Sequence, residues 1–302
     1  MSNRELRRVA FIGVGNMGWP MAARLAGAGF EVVAYDAAPG RAQAFAAEAG
    51  GRAAPDAAAA ARGADAVITI LPTSKHVGQA LEAMGDAIAP GALVIEMSSG
   101  VPTATKGFAA TLAARGVAMI DAPVSGGVPR ARSGELAIML GGEADQVERA
   151  KPLLQAMGTA LTHVGGIGAG QAMKALNNLM GAAGFLIGVE ALLIGQRFGL
   201  DPAVMVDVLN SSTGMNNSTQ KKFKQYVLSR SFDAGFGLDL MAKDVSVALE
   251  VGRETNTPTP FAALCREMWA SAQGLLGPGQ DHTAMAQFSE RLVGETLGDK
   301  RA

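Results

Sequence analysis

Lys174 and Asn178 stand four residues apart in "GAGQAMKALNN", with Gln171 three residues before the lysine, so an amine and two carboxamides share one stripe of a helix. The stripe has two readings. It is a wetted edge from which Lys174 extends its ammonium to water. Alternatively it faces a cleft between domains, where a partly desolvated lysine has its pKa pushed down and passes protons near neutral pH. Spacing alone leaves both open. In "DAPVSGGVPRARSGELAIMLGG" (Asp121 to Gly142), Ser125-Gly126-Gly127 offers a hydroxyl followed by unhindered backbone N–H groups, a nest suited to a carboxylate; as a bare pattern it is also a glycine-rich turn between strands. Lys243, near a helix start in "LMAKDVSVALE", has the ordinary reading of a solvated surface lysine.

The segment "FIGVGNMGWP" (Phe11 to Pro20) carries Gly13, Gly15 and Gly18 in G-x-G-x-x-G spacing, after a run that reads as a strand and before one that reads as a helix. The first glycine permits the tight turn, the second lets a pyrophosphate approach the backbone, and the third lets helix and strand pack closely. Free N–H groups at the helix start bind the anion. Gly13, Val14, Gly15, Asn16, Met17 and Gly18 are thus the candidate phosphate cradle. Asp36 ends the next strand near the offset expected of an acid that binds a ribose 2′-hydroxyl, and its charge repels a 2′-phosphate; the argument favours NAD over NADP. The competing view has Asp36 cap the helix after Pro39 while Arg41 meets a phosphate.

The elements that must position these residues follow from the apolar pattern. Short β-branched runs alternate with alanine-rich helical stretches up to about Val164: Arg8 to Gly13, Phe30 to Asp36, Asp65 to Leu71, Ala92 to Met97, Val117 to Asp121 and Leu136 to Leu140. The first four are mostly apolar, as in strands covered on both faces. A long stretch from Gly168 to about Gln196 then carries only Lys174 and Glu190 as charges; polar residues interrupt it, and it reads as a buried helix rather than a membrane span. Gly199 can end it, and Asp201-Pro202 can cap and open the next helix. Everything beyond reads as helical. The fold expected is α/β: an N-terminal Rossmann-type doubly wound sheet (1–164) followed by an all-helical C-terminal domain (165–302), joined by a long interdomain helix.

Composition narrows the partners. The chain has 302 residues, 49% hydrophobic and 18% charged, with 26 Lys and Arg against 27 Asp and Glu, which argues against a nucleic-acid surface or a polybasic membrane patch and for a small molecule. One cysteine, Cys265, and three scattered histidines give no internal disulfide and no metal-ligand spacing, so no metal and a reducing compartment are expected. The charged N-terminus runs straight into a strand without a secretory signal pattern, and a cytoplasmic location is expected.

Four blocks, "FIGVGNMGWPMAARL", "DAPVSGGVPRARSGELAIMLGG", "GAGQAMKALNN" and "GFGLDLMAKDVSVAL", resemble in order and spacing those of the β-hydroxyacid dehydrogenases, the family of 3-hydroxyisobutyrate dehydrogenase and tartronate semialdehyde reductase. The resemblance implies that Lys174 is the proton-transferring residue, that Asn178 helps hold the substrate, and that Ser125, Gly126 and Gly127 clamp its carboxylate. It also implies that Lys243 lies by the nicotinamide, that Leu71, Pro72 and His76 of "LPTSKH" contact the cofactor, and that Ser99 of "MSSGVP" lies near the nicotinamide ribose. The chain departs from the family pattern at Gly100, at Pro129-Arg130 and at His76.

The activity implied is reversible hydride transfer between NAD and a small β-hydroxy acid, 3-hydroxyisobutyrate dehydrogenase-like. Alternatives are a tartronate semialdehyde or succinic semialdehyde/glyoxylate-type reductase using NADP, an imine reductase, against which Lys174 argues, and a non-catalytic nucleotide-binding scaffold. The groups expected to choose the substrate lie around Pro129, Met215 to Ser218, Phe236 and Asp239. A bare apolar helix with Gly184 and Gly188 spaced for close contact, together with the resemblance, suggests a homodimer or homotetramer.

Overall fold

The computed structural model describes residues 6–298. Their contacts form two compact units, one running up to Lys174 and the other from Ala175. The first unit is a mixed, mainly parallel sheet of β1 (Arg8–Ile12), β2 (Glu31–Tyr35), β3 (Arg52–Ala53), β4 (Ala66–Thr69), β5 (Leu93–Glu96), β6 (Ala118–Asp121), β7 (Val124–Ser125), β8 (Leu136–Gly141) and β9 (Gly158–Gly165). Their order is β3-β2-β1-β4-β5-β6-β8-β7, with β9 also paired to β8. The pairs from β3 through β6 are parallel, and β8 runs antiparallel to β6 and β7.

All six strands expected from the apolar runs are present. The other three have no such run: β3 and β7 are two residues each, and β9, "GTALTHVG", is exposed along most of its length. Helices α1 (Gly18–Gly27), α2 (Arg41–Ala49), α3 (Ala57–Ala61), α4 (Ser74–Met84), α5 (Pro102–Ala113), α6 (Gly127–Ser133) and α7 (Ala144–Met157) connect the strands. The sheet is covered on both faces, and the period of two divides its side chains between two cores. Val9, Phe11, Ile68, Leu93 and Ile95 pack on one side with Met21 and Leu25 of α1 and Leu153 of α7. Ala10, Ile12, Val67 and Val94 pack on the other with Ala57 and Ala60 of α3, Val77 of α4 and Leu112 of α5.

The long helix, α8 (Ala169–Phe198), has 30 residues, and the division between the units falls inside it, whereas the sequence pattern sets the boundary at the turn before it. The second unit holds the rest of α8 with α9 (Pro202–Asn210), α10 (Asn217–Lys221), a π-helical turn Phe223–Leu228, α11 (Leu238–Glu254), α12 (Pro260–Leu276) and α13 (Met285–Val293). Gly199 adopts φ +102° after the last turn of α8, and the Asp201 carboxylate accepts from the Ala203 and Val204 amides ahead of Pro202, as expected. The core of this unit is Phe185, Val189 and Leu192 of α8 packed on Phe223, Val245 and Trp269.

The expectation of a buried α8 is right for one face only. Met180, Ile187, Ile194 and Phe198 are exposed, Phe198 at 84%. Among the described residues α8 is the one helix long and apolar enough to cross a membrane, but half of its most apolar window is buried within the protein. Before its last turn the outer face carries a single charge, Glu190, between Ile187 and Ile194, too sparse a polar signal to mark the face as exposed.

Candidate active site

The three glycines after β1 have three different surroundings. Gly13 holds φ +98°, a conformation that L side chains rarely adopt, and donates its N–H to the Tyr35 carbonyl at 2.8 Å. A Cβ on Gly18 would overlap the Gly13 carbonyl, so the first turn of α1 lies against the strand it follows. A Cβ on Gly15 would meet nothing within 4 Å. The N-cap of α1, Met17, makes no side-chain capping bond; the Trp19 amide donates to the Gly15 carbonyl at 2.9 Å and Pro20 has no N–H, so what the helix start offers an anion is chiefly the positive end of its dipole. A glycine with open space beside an uncapped helix start fits the pyrophosphate of a dinucleotide.

Asp36 sits just past β2, and its two carboxylate oxygens accept from the Val14 and Ala38 amides, each at 2.8 Å. It does not cap α2, whose N-cap is Gly40 with no side-chain bond. Arg41 donates from Nε to the Val14 carbonyl at 2.9 Å and lies over the Trp19 ring, 4.8 Å from its centre. Carboxylate and guanidinium thus hold the Val14 backbone at its N–H and its carbonyl.

The strand order reverses between β1 and β4, and in open α/β sheets ligands bind at the carboxyl ends of strands at such a switch point. Leu71 and Pro72 follow β4 there, and the Leu71 amide donates to Ser98 Oγ at 2.9 Å. His76 lies in the first turn of α4, exposed, with Nδ1 2.8 Å from Thr73 Oγ1. Ser99 follows β5, half-buried. Beside it, Gly100 has no room for a side chain: a Cβ would stand 2.8 Å from Ser74 Oγ and 2.9 Å from Glu96 Oε1. This departure from the family pattern is therefore matched by close packing.

Ser125 ends β7, paired with Ala137 of β8, and the chain passes through Gly126 (φ +134°) and Gly127 (φ +67°) into α6. Both glycines hold the positive φ that brings successive amides together in a nest. Four residues upstream, Asp121 is fully buried at the end of β6; its carboxylate accepts from the Gly168 amide at 2.7 Å and the Gln171 amide at 2.8 Å. Burial pushes the Asp121 carboxyl above the usual carboxylate range, and the Gly168 and Gln171 amides pull it part of the way back. Lys174, on the next turn of α8, is 8% exposed. A lysine so covered does not extend its ammonium into bulk water, which removes the wetted-edge reading.

In the second unit Asn178 donates from Nδ2 to Asp244 Oδ2 at 2.5 Å, and the other oxygen of that carboxylate is 3.1 Å from Lys243 Nζ. Lys243 is thus an ion-paired, largely covered residue rather than a solvated one. Asp244, 3% exposed, was not among the residues expected from the sequence; its signal was the acid directly after Lys243 in "AKDVSVAL". Asp281 holds the loop before α11, accepting the Gly235 and Phe236 amides at 2.8 and 3.0 Å. Burial raises the Asp281 carboxyl, but bonds from His282 and Thr283 outweigh it and hold the group well below the usual range. Burial lowers His282, and it lowers Lys222 to about 8. Of the expected substrate-choosing residues, Asn216 closes a capping box on α10, Ser218 is buried, and Met215 and Asp239 are exposed. No group of three or more His, Cys, Asp or Glu suited to a metal exists among the described residues.

Comparison with known proteins agrees with this architecture. Residues 8–165 match the family model of the NAD binding domain of 6-phosphogluconate dehydrogenase, and residues 168–289 match that of the NAD-binding part of NADP-dependent 3-hydroxyisobutyrate dehydrogenase. An NAD-dependent L-serine dehydrogenase of Pseudomonas aeruginosa is 38% identical over 87% of this chain and 91% of its own length. A 2-(hydroxymethyl)glutarate dehydrogenase of Eubacterium barkeri is 32% identical over 96% of this chain and 97% of its own. Among solved structures, a Mycobacterium tuberculosis 3-hydroxyisobutyrate dehydrogenase with L-serine superposes at a TM-score of 0.86, 32% identical, covering 94% of this chain and 99% of that one. The chain belongs to the β-hydroxyacid dehydrogenase family. It is an NAD(P)-dependent dehydrogenase of a small hydroxy acid.

Proposed function

We propose that the chain interconverts a short β-hydroxy acid and its semialdehyde, with NAD as the preferred cofactor and Lys174 as the residue that moves the hydroxyl proton. The observation that carries this reading is the burial of Lys174, 8% exposed, one helical turn before Asn178 on α8. When bound, the nicotinamide supplies the hydride acceptor. In oxidation the neutral amine of Lys174 takes the proton of the hydroxyl as the carbon gives up its hydride, and in reduction the ammonium returns it. Ser125 and the amides of Gly126 and Gly127 hold the carboxylate, Asn178 helps hold the substrate, and Asp244 orients Asn178 and Lys243. Gly13 to Gly18, Leu71, Pro72, His76, Ser99 and Lys243 are assigned to the cofactor.

Chemistry narrows the substrate. 3-Hydroxyisobutyrate, L-serine and 2-(hydroxymethyl)glutarate, the compounds in the relatives' names, all carry a hydroxymethyl group on the carbon bearing the carboxylate. They differ in the third substituent: methyl, ammonium or carboxyethyl. The proposed substrate has this core, and a panel of the three, assayed with NAD and with NADP by nicotinamide absorbance, identifies both preferences. Asp36 supports NAD, since its carboxylate faces the loop and Arg41 is engaged by Val14 and Trp19. Lys174→Ala should abolish turnover, a fall of about 100-fold or more, while leaving the NADH Kd nearly unchanged; retention of most of kcat refutes the assignment.

The exposed apolar residues of α8 and α9, Met180, Ile187, Ile194, Phe198, Val204 and Val208, support a homodimer or homotetramer, measured by light scattering on the eluting protein. A cytoplasmic location is proposed from the single, buried Cys265.

A further inference from the structure

Gln171 is 1% exposed, and its carboxamide makes two bonds to one short segment: Nε2 donates to the Ser98 carbonyl at 2.8 Å, and Oε1 accepts from the Gly100 amide at 2.8 Å. Those groups flank Ser99 on either side. The orientation is dictated, because turning the amide over would face donor to donor and acceptor to acceptor. The Gln171 backbone is held as well, since its N–H and that of Gly168 end on the two oxygens of Asp121. Glycines on both sides let these parts meet: a Cβ on Gly170 would stand 2.8 Å from Asp121 Oδ2, and one on Gly141 would overlap Oδ1. The first turn of α8 is thereby fixed in rotation by Gln171 and in advance along its axis by Asp121. Lys174 is on the turn that follows, three residues on from Gln171 and on the same face.

We propose that Gln171 and Asp121 are positioning residues for the reaction. Gln171 sets the loop carrying Ser99 and the helix carrying Lys174 in register through one side chain, and Asp121 keeps that side chain in place. This rests on the reading of Lys174 as the proton-transferring group. A side chain with one donor and one acceptor is required, so two substitutions separate positioning from bulk packing. Gln171→Leu preserves much of the volume and removes both bonds. Gln171→Glu preserves the acceptor, and restores a donor only when its carboxyl is protonated.

The test measures kcat, substrate KM and the NADH Kd for both variants beside wild type and Lys174→Ala, from pH 5 to pH 9. Gln171→Leu is expected to lower kcat at least 10-fold with the NADH Kd within about 3-fold of wild type. Gln171→Glu is expected to give a ratio of its kcat to the wild-type kcat that rises as pH falls. A Gln171→Leu enzyme with kcat within twofold of wild type overturns the proposal, as does a loss of NADH affinity equal to the loss of kcat, or a Gln171→Glu ratio flat with pH. If Gln171→Leu does not fold, Gln171→Glu, close to isosteric with glutamine when protonated, carries the test. A Lys174→Ala enzyme that still turns over overturns the lysine assignment whatever Gln171 does. An inactive Lys174→Ala beside a fully active Gln171→Leu overturns the positioning role alone.

Discussion

Two of the glycine-rich turns that lead from a strand into a helix in the first unit use the helix start in opposite ways. Gly13 to Gly18 connects β1 to α1, and no side chain caps α1. Gly165 to Gly168 connects β9 to α8, and there the buried Asp121 carboxylate occupies the Gly168 and Gln171 amides. Every helix start presents the same unsatisfied N–H groups and the same positive end of the dipole. At α1 no side chain takes the helix start, so its positive end is available to the anion of a cofactor, whereas at α8 an internal carboxylate takes it and fixes where the helix begins. Glycine content alone therefore does not mark a phosphate site; what decides it is whether a carboxylate of the protein takes the helix start, as Asp121 does at α8, or only the loop ahead of it, as Asp36 does at Val14.

That contrast can be broken at either turn. Gly18→Ala puts a Cβ into the Gly13 carbonyl, which no rotamer relieves, and it should destabilise the protein by about 3 kcal/mol or prevent its folding, read by thermal or urea unfolding. Asp121→Ala leaves two buried amides without an acceptor and should cost about 2 kcal/mol. Its pH dependence has a definite sign. The carboxyl is raised in the folded state, so folding of the wild type gains stability as pH falls from neutral through that raised value toward the unfolded value of about 4. The variant lacks that slope, so its deficit should grow as pH falls, and a gap that shrinks contradicts the raised carboxyl.

Gly15→Ala meets nothing within 4 Å and should leave the melting temperature within about a degree while weakening NADH binding on the order of 10-fold. Equal losses of stability and affinity would erase the distinction between an open and a filled helix start. The smallest effect is expected at Asp36→Ala, which should narrow the ratio of kcat/KM for NAD over NADP by several-fold; an unchanged ratio removes its role in cofactor choice.

The sequence made the first turn legible because everything needed lay close by: a strand, three glycines at fixed spacing, and an acid at the end of the next strand. The same holds for α9, whose Asp201-Pro202 start is written in adjacent residues. It fails where a bond joins distant segments. Gln171 and Ser98 are 73 residues apart, and Asn178 and Asp244 are 66 apart; nothing in "AKDVSVAL" says which carboxamide its aspartate will meet. The exposed side of α8 was missed for a different reason. A surface made of Met180, Ile187 and Ile194, with Glu190 as the one charge among them, carries too little polarity to mark it as exposed. Strand β9 was missed because, exposed for most of its length, it has none of the apolar alternation that marks a half-covered strand.

Strand β9 has one more consequence, for how the protein behaves when concentrated or briefly opened. The last strand of a sheet offers unpaired N–H and C=O groups to any other extended chain, and a flat apolar edge is a template for aggregation. Here β9 carries two threonines and a histidine, and its pairing with β8 shifts register between Leu136 and Ala137 and again between Leu140 and Gly141. At the opposite edge, β3 is two residues long. One margin is kinked and polar and the other is too short to recruit a strand, so this sheet is poorly suited to growing by edge-to-edge addition of further copies.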